Sequence, residues 1–253
     1  MKLSVSVVIP YYKNEKYFSR AYFSVLNQTY KPNEIIVICD EPAKQAKLFL
    51  KKIIKSNRKK TKLIFNKKNY GVSYCRNFAI KIAKSKFIAF LDSDDYWHRE
   101  KLKKQIDFIK KNKLDFCHTS YHIINEQNQI FSKFLIPKKI SFNQLIKRCD
   151  VGTSSVIARK KLLLKYKFPN LSNQEDYYVW LKIAQRKKNL YGLLTPLTYW
   201  RKTKGSLSSN NLNKLKNAFY IYHKKFGYNI PLSIYRLLIL ILLNIKKKTK
   251  IYL

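Results

Sequence analysis

Two short acidic motifs stand out in a chain of 253 residues that carries 53 Lys plus Arg against 14 Asp plus Glu, a formal net charge of +39. One is Asp92-Ser93-Asp94-Asp95 and the other is Glu175-Asp176, so five of the 14 carboxylates fall in two brief stretches. Three aspartates within one turn repel one another unless protonation or a cation relieves them. Oxygen donors of this type suit a hard divalent ion, Mg²⁺ or Mn²⁺, holding a diphosphate. Solvated turn aspartates are the plainer alternative, since Asp and Ser are common turn residues. The second pair is either a candidate general base with its neighbour or an ordinary acidic first turn of a helix. His118 and His122 have the spacing of a helical metal pair but lie in an expected strand, which argues against ligation.

These side chains need elements to position them. Val5 to Pro10 reads as a buried first strand, lacking the long apolar core and small-residue cleavage site of a signal peptide. Tyr17, Ala21, Val25 and Leu26 then fall at helical spacing. A strand is expected over 34–39, a lysine-rich helix over 42–57, a strand over 62–65, a helix over 73–84 and a strand over 87–91. Such alternation predicts an α/β fold with a mostly parallel sheet flanked by helices, because parallel neighbours need a crossover. Ligands of these sheets sit at the carboxyl ends of the strands, here Pro10, Asp40, Asn66 and Asp92. Beyond them a helix is expected over 99–111, strands over 115–124, 130–135 and 151–158, a helix over 175–186 and a short strand over 197–200. A mobile polar loop is expected over 202–211, with Lys202 and Lys204 in it.

With 46% hydrophobic and 15% aromatic residues the chain can bury a core, which excludes most disordered classes despite the charge. The four cysteines, Cys39, Cys75, Cys117 and Cys149, form no CxxC pair and read as reduced, buried thiols of a cytosolic protein. The abundance of Lys, Asn, Ile, Tyr and Phe is what an AT-rich genome encodes. A surface this positive attracts polyanions nonetheless. A basic nucleic-acid-binding protein is therefore the competing class, but no binding motif of the usual kinds is present, and that reading leaves the acidic clusters unexplained. Ser154 and Ser155 have no His nearby in sequence, so a hydrolase triad has little support.

Val5-Ser6-Val7-Val8-Ile9-Pro10-Tyr11-Tyr12, Leu26-Asn27-Gln28-Thr29, Asn69-Tyr70-Gly71-Val72-Ser73 with Arg76-Asn77, Phe90-Leu91-Asp92-Ser93-Asp94-Asp95, Gly152-Thr153-Ser154-Ser155 and Gln174-Glu175-Asp176-Tyr177 with Trp180 occur together and in this order. In that set the chain resembles the family 2 glycosyltransferases over roughly residues 3 to 205. The resemblance implies a GT-A fold, a UDP- or GDP-type nucleotide-sugar donor, a divalent metal, and inversion in one displacement. It implies that Pro10, Tyr11, Tyr12, Asp40, Asn69, Gly71, Arg76, Asp92 and Ser93 bind the donor. Asp94, with Asp92, would hold the metal, and Asp176, assisted by Glu175, would be the base. Ser154, Ser155, Trp180, Trp200 and Arg201 would line the acceptor side or a lid. Cys39 stands where the family has a first acid, and Glu41-Pro42 replaces the usual small residues. An inactive relative of the family is a further alternative, which the presence of Asp40, Asp94 and Asp176 opposes.

The resemblance divides the chain into a catalytic unit over 1–205, with a nucleotide-binding half over 1–98 and an acceptor half over 99–205, and a basic helical tail over 206–253. In the tail, Leu237 to Leu243 is apolar all round and is followed by Lys246-Lys247-Lys248. A spanning helix needs about 20 apolar residues, so this run is a buried or an interfacial helix. Its basic flanks favour the anionic inner face of a cell membrane. The expected setting is bacterial surface polysaccharide or lipopolysaccharide biosynthesis, with a glycan or lipid-linked acceptor and no specific nucleic acid.

Overall fold

The computed structural model describes residues 3–148, 150–187, 189–203 and 211–251. Strands β1 (Val5–Tyr11), β2 (Glu34–Cys39), β3 (Thr61–Phe65) and β4 (Phe87–Phe90) alternate with helices α1 (Glu15–Leu26), α2 (Lys44–Ile54) and α3 (Val72–Ile82). All three pairings among these strands are parallel. The side chains of β1 alternate between two cores: Val8 joins the one containing Cys75, Ala79 and Trp180, and Val5, Val7, Ile9 and Tyr11 join the one containing Phe18, Tyr22 and Leu50. This is the two-residue period of a strand buried on both faces.

The second half is mixed rather than parallel. It comprises β5 (Tyr96–Trp97), α4 (Lys101–Lys111), β6 (Phe116–Ile124), β7 (Ile130–Phe134), β8 (Lys139–Ser141), α5 (Phe142–Leu145), β9 (Ile157–Arg159), α6 (Lys160–Lys165), α7 (Glu175–Lys187) and β10 (Asn189–Arg201). The sheet runs β3-β2-β1-β4-β9-β6-β10-β5, with β7 on β6 and β8 on β10. β9 lies antiparallel between β4 and β6 and joins the two halves.

Two expectations are corrected here. Of the strand expected over 151–158 only its end enters the sheet, as part of β9, because Thr153–Ser155 forms a 3-10 turn with the Ser155 hydroxyl donating to the Gly152 carbonyl at 2.7 Å. The strand expected over 197–200 is instead the last third of the 13-residue β10. Of the polar loop, residues 204–210, with Lys204, lie outside the described residues, as does Cys149. The other three thiols are free and buried. Burial pushes Cys39 up to about 11 and Cys75 and Cys117 up to about 12, so they stay protonated.

The tail is helical, as α8 (Asn211–Tyr220), a π turn (Ile221–Lys225) and α9 (Ile230–Ile251). Ala218, Ile221, Tyr222 and Leu240 enter the core shared by β4 and α7. The Tyr222 hydroxyl donates to the Ile146 carbonyl at 2.9 Å and lies 3.1 Å from the Tyr177 hydroxyl. Along α9, Ser233 and Leu240 are buried while Ile230, Ile234, Tyr235, Leu238 and Leu242 are exposed. Among the described residues, no helix is long and apolar enough to cross a membrane.

One cation is out of place. Lys101 is fully buried, its Nζ 4.0 Å from the Trp97 ring centroid and without a hydrogen-bond partner among the described residues. Burial pushes its ammonium down to about 7. An unfolded lysine holds its proton to about pH 10.4, so the native state binds fewer protons between those values and gains stability as pH rises through the window. Lys101→Met is therefore expected to raise the melting temperature most below pH 7, with the gain shrinking by pH 10. Melting curves of both proteins at pH 6 and pH 10 check this.

Candidate active site

The carboxyl ends of β1, β2 and β4 converge as the alternation requires. At the end of β1, Tyr11 is buried against Phe18, with ring centroids 5.2 Å apart, whereas Tyr12 is 44% exposed, so of the two tyrosines only the second faces solvent. Lys13 turns the chain at φ 45°, and Asn14 Nδ2 donates to Ser93 Oγ at 2.8 Å, tying this loop to the acidic turn.

At the end of β2, the Asp40 carboxylate accepts from Asn66 Nδ2 (2.7 Å), Tyr70 N (2.9 Å) and Gly71 N (2.8 Å). Asn69 Oδ1 also accepts from Gly71 N at 2.9 Å. Gly71 has φ +87°, a left-handed conformation that strains a residue with a Cβ, and it starts α3 from this loop. Asp40 thus ties the loop after β2 to the Asn69–Gly71 loop that precedes α3.

Arg76, on α3, is the centre of the site. Its Nη1 donates to Glu175 and its Nη2 to Asp92 at 2.6 Å. Burial works against its charge, but Asp92, Glu175 and Asp176 outweigh it and hold the guanidinium more firmly protonated than usual. Burial likewise pushes Glu175 up to about 7, in spite of Arg76 and with help from the charge of Asp176. Asp176 also rises, mainly by burial, opposed by a hydrogen bond from Thr153. Thr153 Oγ1 donates to Asp176 Oδ2 at 2.5 Å, and Tyr177 N donates to Asp176 Oδ1 at 2.7 Å.

In the acidic turn Asp92 and Asp94 are half-buried and Asp95 is buried. Burial and the charge of Asp92 push Asp94 up to about 6, and Asp95 rises well above the carboxylate range by burial and the charge of Asp94. Such mutual repulsion is what a cation relieves. Two carboxylates with substrate phosphates are a usual donor set for Mg²⁺ or Mn²⁺, so Asp94 and Asp92 fit a divalent ion bound jointly with a diphosphate. Among the described residues, no three or more His, Cys, Asp or Glu side chains form a complete metal cage. His118 and His122 lie four residues apart on β6, a rise of about 13 Å. Burial holds His118 neutral, down to about 3.

Beside Asp94 opens a cleft of about 320 Å³ lined also by Lys13, Asn14, Lys16, Glu126 and Thr203. Arg201 is only 2% exposed: its backbone N–H donates to Asp95 Oδ1 at 2.8 Å and its Nε to the Asp94 carbonyl at 2.8 Å. Trp180 is fully buried against Phe90, Phe116 and Phe168 and does not reach the cleft. Trp200 is half-buried at the end of β10, 6.3 Å from the Tyr121 ring. Ser154 and Ser155 are buried beneath the acidic turn. Sequence reasoning did not single out Asn14 or the Thr153 hydroxyl, whose partners lie 79 and 23 residues away.

The profile described as Glycosyl transferase family 2 matches residues 6–167. A UDP-Glc:alpha-D-GlcNAc-diphosphoundecaprenol beta-1,3-glucosyltransferase, WfgD of Escherichia coli, is 37% identical over 245 residues, covering 96% of this chain and 94% of that protein. The chain belongs to glycosyl transferase family 2. A second Escherichia coli enzyme with the same activity in its name, WfaP, is 35% identical over 83% of this chain and 82% of its own. In fold this family 2 glycosyltransferase is similar to S. aureus TarS in complex with UDP-GlcNAc, with a TM-score of 0.67 at 24% identity, over 82% of this chain and 61% of that one. It is also similar to the mannosyltransferase PcManGT from Pyrobaculum calidifontis in complex with GDP-Man and Mn²⁺, with a TM-score of 0.65 at 12% identity, over 90% and 66%. The GT-A α/β architecture and the enzymatic class are thereby established.

The buried Arg76–Glu175 pair sets a stability expectation. Removing one partner of a buried ion pair costs about 3–5 kcal/mol, because a charge is left unpaired. Arg76→Met is expected to lose that much in urea denaturation. Arg76→Lys should recover only part of it, since an ammonium lacks the fork that serves Asp92 and Glu175 at once.

Proposed function

We propose that this glycosyltransferase moves a hexosyl unit, with inversion, from a UDP-sugar to a hydroxyl of a lipid-diphosphate-linked acceptor in bacterial surface polysaccharide assembly. The observation that carries the reading is the convergence of Asp92, Asp94 and Asp176 around Arg76 at the carboxyl ends of the sheet. The UDP donor and the lipid-linked acceptor are supported by the names of WfgD and WfaP, and the UDP donor also by the bound ligand of TarS.

In this reading Tyr12, Asp40 with the Asn69–Gly71 loop bonded to it, and Ser93 border the nucleoside, and Arg76 holds Asp92 aimed at the donor. A divalent cation held by Asp94 and Asp92 supplies stabilisation of the charge that gathers on the departing diphosphate. Asp176 takes the proton of the acceptor hydroxyl as that oxygen bonds to the anomeric carbon and the nucleoside diphosphate departs from the opposite face. Burial raises its affinity for protons above that of an exposed carboxylate, the direction a general base needs. Glu175, committed to Arg76, holds the start of α7 in place. Asp176→Asn is expected to lower kcat on the order of 10²–10⁴-fold with little change in donor KM, measured with UDP-glucose and a polyprenyl-diphosphate-linked N-acetylglucosamine. Wild-type turnover in that variant would remove the base assignment. Turnover unchanged in chelator, with normal nucleotide binding by Asp94→Ala, would remove the metal.

The enzyme works at the inner membrane face, with α9 lying on anionic lipid. The support is the apolar row Ile230, Ile234, Leu238 and Leu242, exposed on the side of α9 opposite Ser233 and Leu240, in a chain of net charge +39. Replacing Ile234, Leu238 and Leu242 with Ser is expected to abolish co-sedimentation with vesicles containing phosphatidylglycerol. Undiminished binding would show that α9 is not the contact.

A further inference from the structure

The 3-10 turn Thr153–Ser155 lies between the two acidic motifs and touches both. Its residues are 6%, 3% and 1% exposed. It is held from beneath by groups outside the reaction crevice. Trp97 Nε1 donates to the Ser154 carbonyl at 2.8 Å, Thr198 Oγ1 approaches the same oxygen at 3.4 Å, and Gln105 Nε2 donates to the Ser155 carbonyl at 3.0 Å. Ser155 closes the turn on itself through the Gly152 carbonyl, with its hydroxyl at 2.7 Å and its N–H at 3.0 Å. Backbone carbonyls anchored from β5, β10 and α4 leave the turn little freedom to shift alone.

From this base two hydroxyls reach in different directions. Ser154 Oγ accepts from Asp92 N at 3.0 Å, so it braces the start of the acidic turn. Thr153 Oγ1 donates to Asp176 Oδ2 at 2.5 Å. The other Asp176 oxygen is taken by Tyr177 N, so the carboxylate is fixed at both oxygens. Without the threonine hydroxyl, nothing in the turn would keep Asp176 from rotating toward Arg76, the cation that already attracts it.

We infer that the 153–155 turn sets the spacing between the donor-binding acids and the base, with Thr153 a positioning residue for Asp176 and Ser154 a positioning residue for the 92–95 turn. The inference rests on the reading of Asp176 as base. It gives each hydroxyl a separate duty: one governs the chemical step, the other donor and metal binding. Misplacing a reacting group by about 1 Å can cost about 10²-fold in rate, which sets the scale of the effect.

The experiment measures kcat, donor KM and the Mn²⁺ concentration for half-maximal activity in Thr153→Val, Thr153→Ser and Ser154→Ala, with melting temperature and UDP binding to certify folding. Thr153→Val is expected to lower kcat about 10- to 100-fold with donor KM nearly unchanged, and Thr153→Ser, which restores the donor hydroxyl, to regain most of it. Ser154→Ala is expected to raise donor KM and the Mn²⁺ requirement more than it lowers kcat. Should Thr153→Val not fold, Thr153→Ala carries the same expectation. Wild-type kcat in the folded Thr153 variants overturns the inference, as does a Thr153→Ser variant as impaired as Thr153→Val. So does a result in which the Thr153 and Ser154 variants change kcat and KM alike, because a turn that only supports the fold would move both together. Asp176→Asn separates the two levels. If it is inactive while Thr153→Val is normal, only the positioning role falls, and if it turns over normally, the base reading falls first.

Discussion

A guanidinium shut away from water among carboxylates is the constraint on which this site depends. Arg76 is 3% exposed and donates to Asp92 on one side and Glu175 on the other. Each group alone would be costly to bury; together they are tolerable because opposite charges lie side by side and both terminal nitrogens of the guanidinium are hydrogen-bonded, although its Nε has no partner among the described residues. The consequence is mechanical as well as electrostatic. α3, the turn after β4 and the first turn of α7 are separated widely in sequence, and Arg76 makes them one object. Asp92 and the helix that carries the proposed base therefore hold a fixed relation, which is the preorganisation catalysis needs.

Arg201 performs a similar service at the other edge of the acidic turn. It closes β10, donates to the backbone and side chain of the 94–95 segment, and reaches the carbonyl of Asn125 at 2.7 Å and Asn128 Oδ1 at 2.6 Å. Its guanidinium carbon also sits 4.2 Å from the Tyr17 ring centroid. The long strand β10 thus links the acidic turn to the β6–β7 hairpin and to α1. Two arginines in a chain whose cations are mostly lysines are placed where a planar fork is needed, a geometry that an ammonium does not supply.

β1, β2 and β4 were legible because parallel strands buried on both faces read as nearly unbroken apolar runs, and β2 and β4 fall almost where their sequences put them. β10 was not, because Gly192, exposed Leu194 and Pro196 interrupt its pattern, and its register against β6 shifts around Pro196. The 153–155 turn hid within an apparent strand because its hydroxyls are engaged inside the protein, Thr153 with Asp176, Ser154 with Asp92 N and Ser155 with the Gly152 carbonyl, rather than with solvent. In the site itself, scarcity made the acids conspicuous. What could not be read was which donor each acid would meet, since Asn14 finds Ser93, Thr153 finds Asp176 and Arg201 finds Asp95 only through the tertiary fold. Trp180 shows the opposite failure. Its place near Asp176 in sequence suggested the crevice, but helical spacing turns it inward onto Phe90 and Phe116.

The net charge and the acidic turn act on different length scales. A field from +39 charges favours ionised carboxylates everywhere in the molecule, so every Asp and Glu should titrate low if that field ruled. Asp94 and Asp95 move the other way. Exposed lysines are screened beyond a Debye length of about 10 Å at 0.1 M salt, whereas neighbouring carboxylates withdrawn from water interact across a medium that screens them little. Local repulsion and desolvation therefore override the global charge at this turn. The basic exterior can gather anions such as a nucleoside diphosphate or an anionic lipid surface, while the repulsion within the acidic turn favours a cation there against that background.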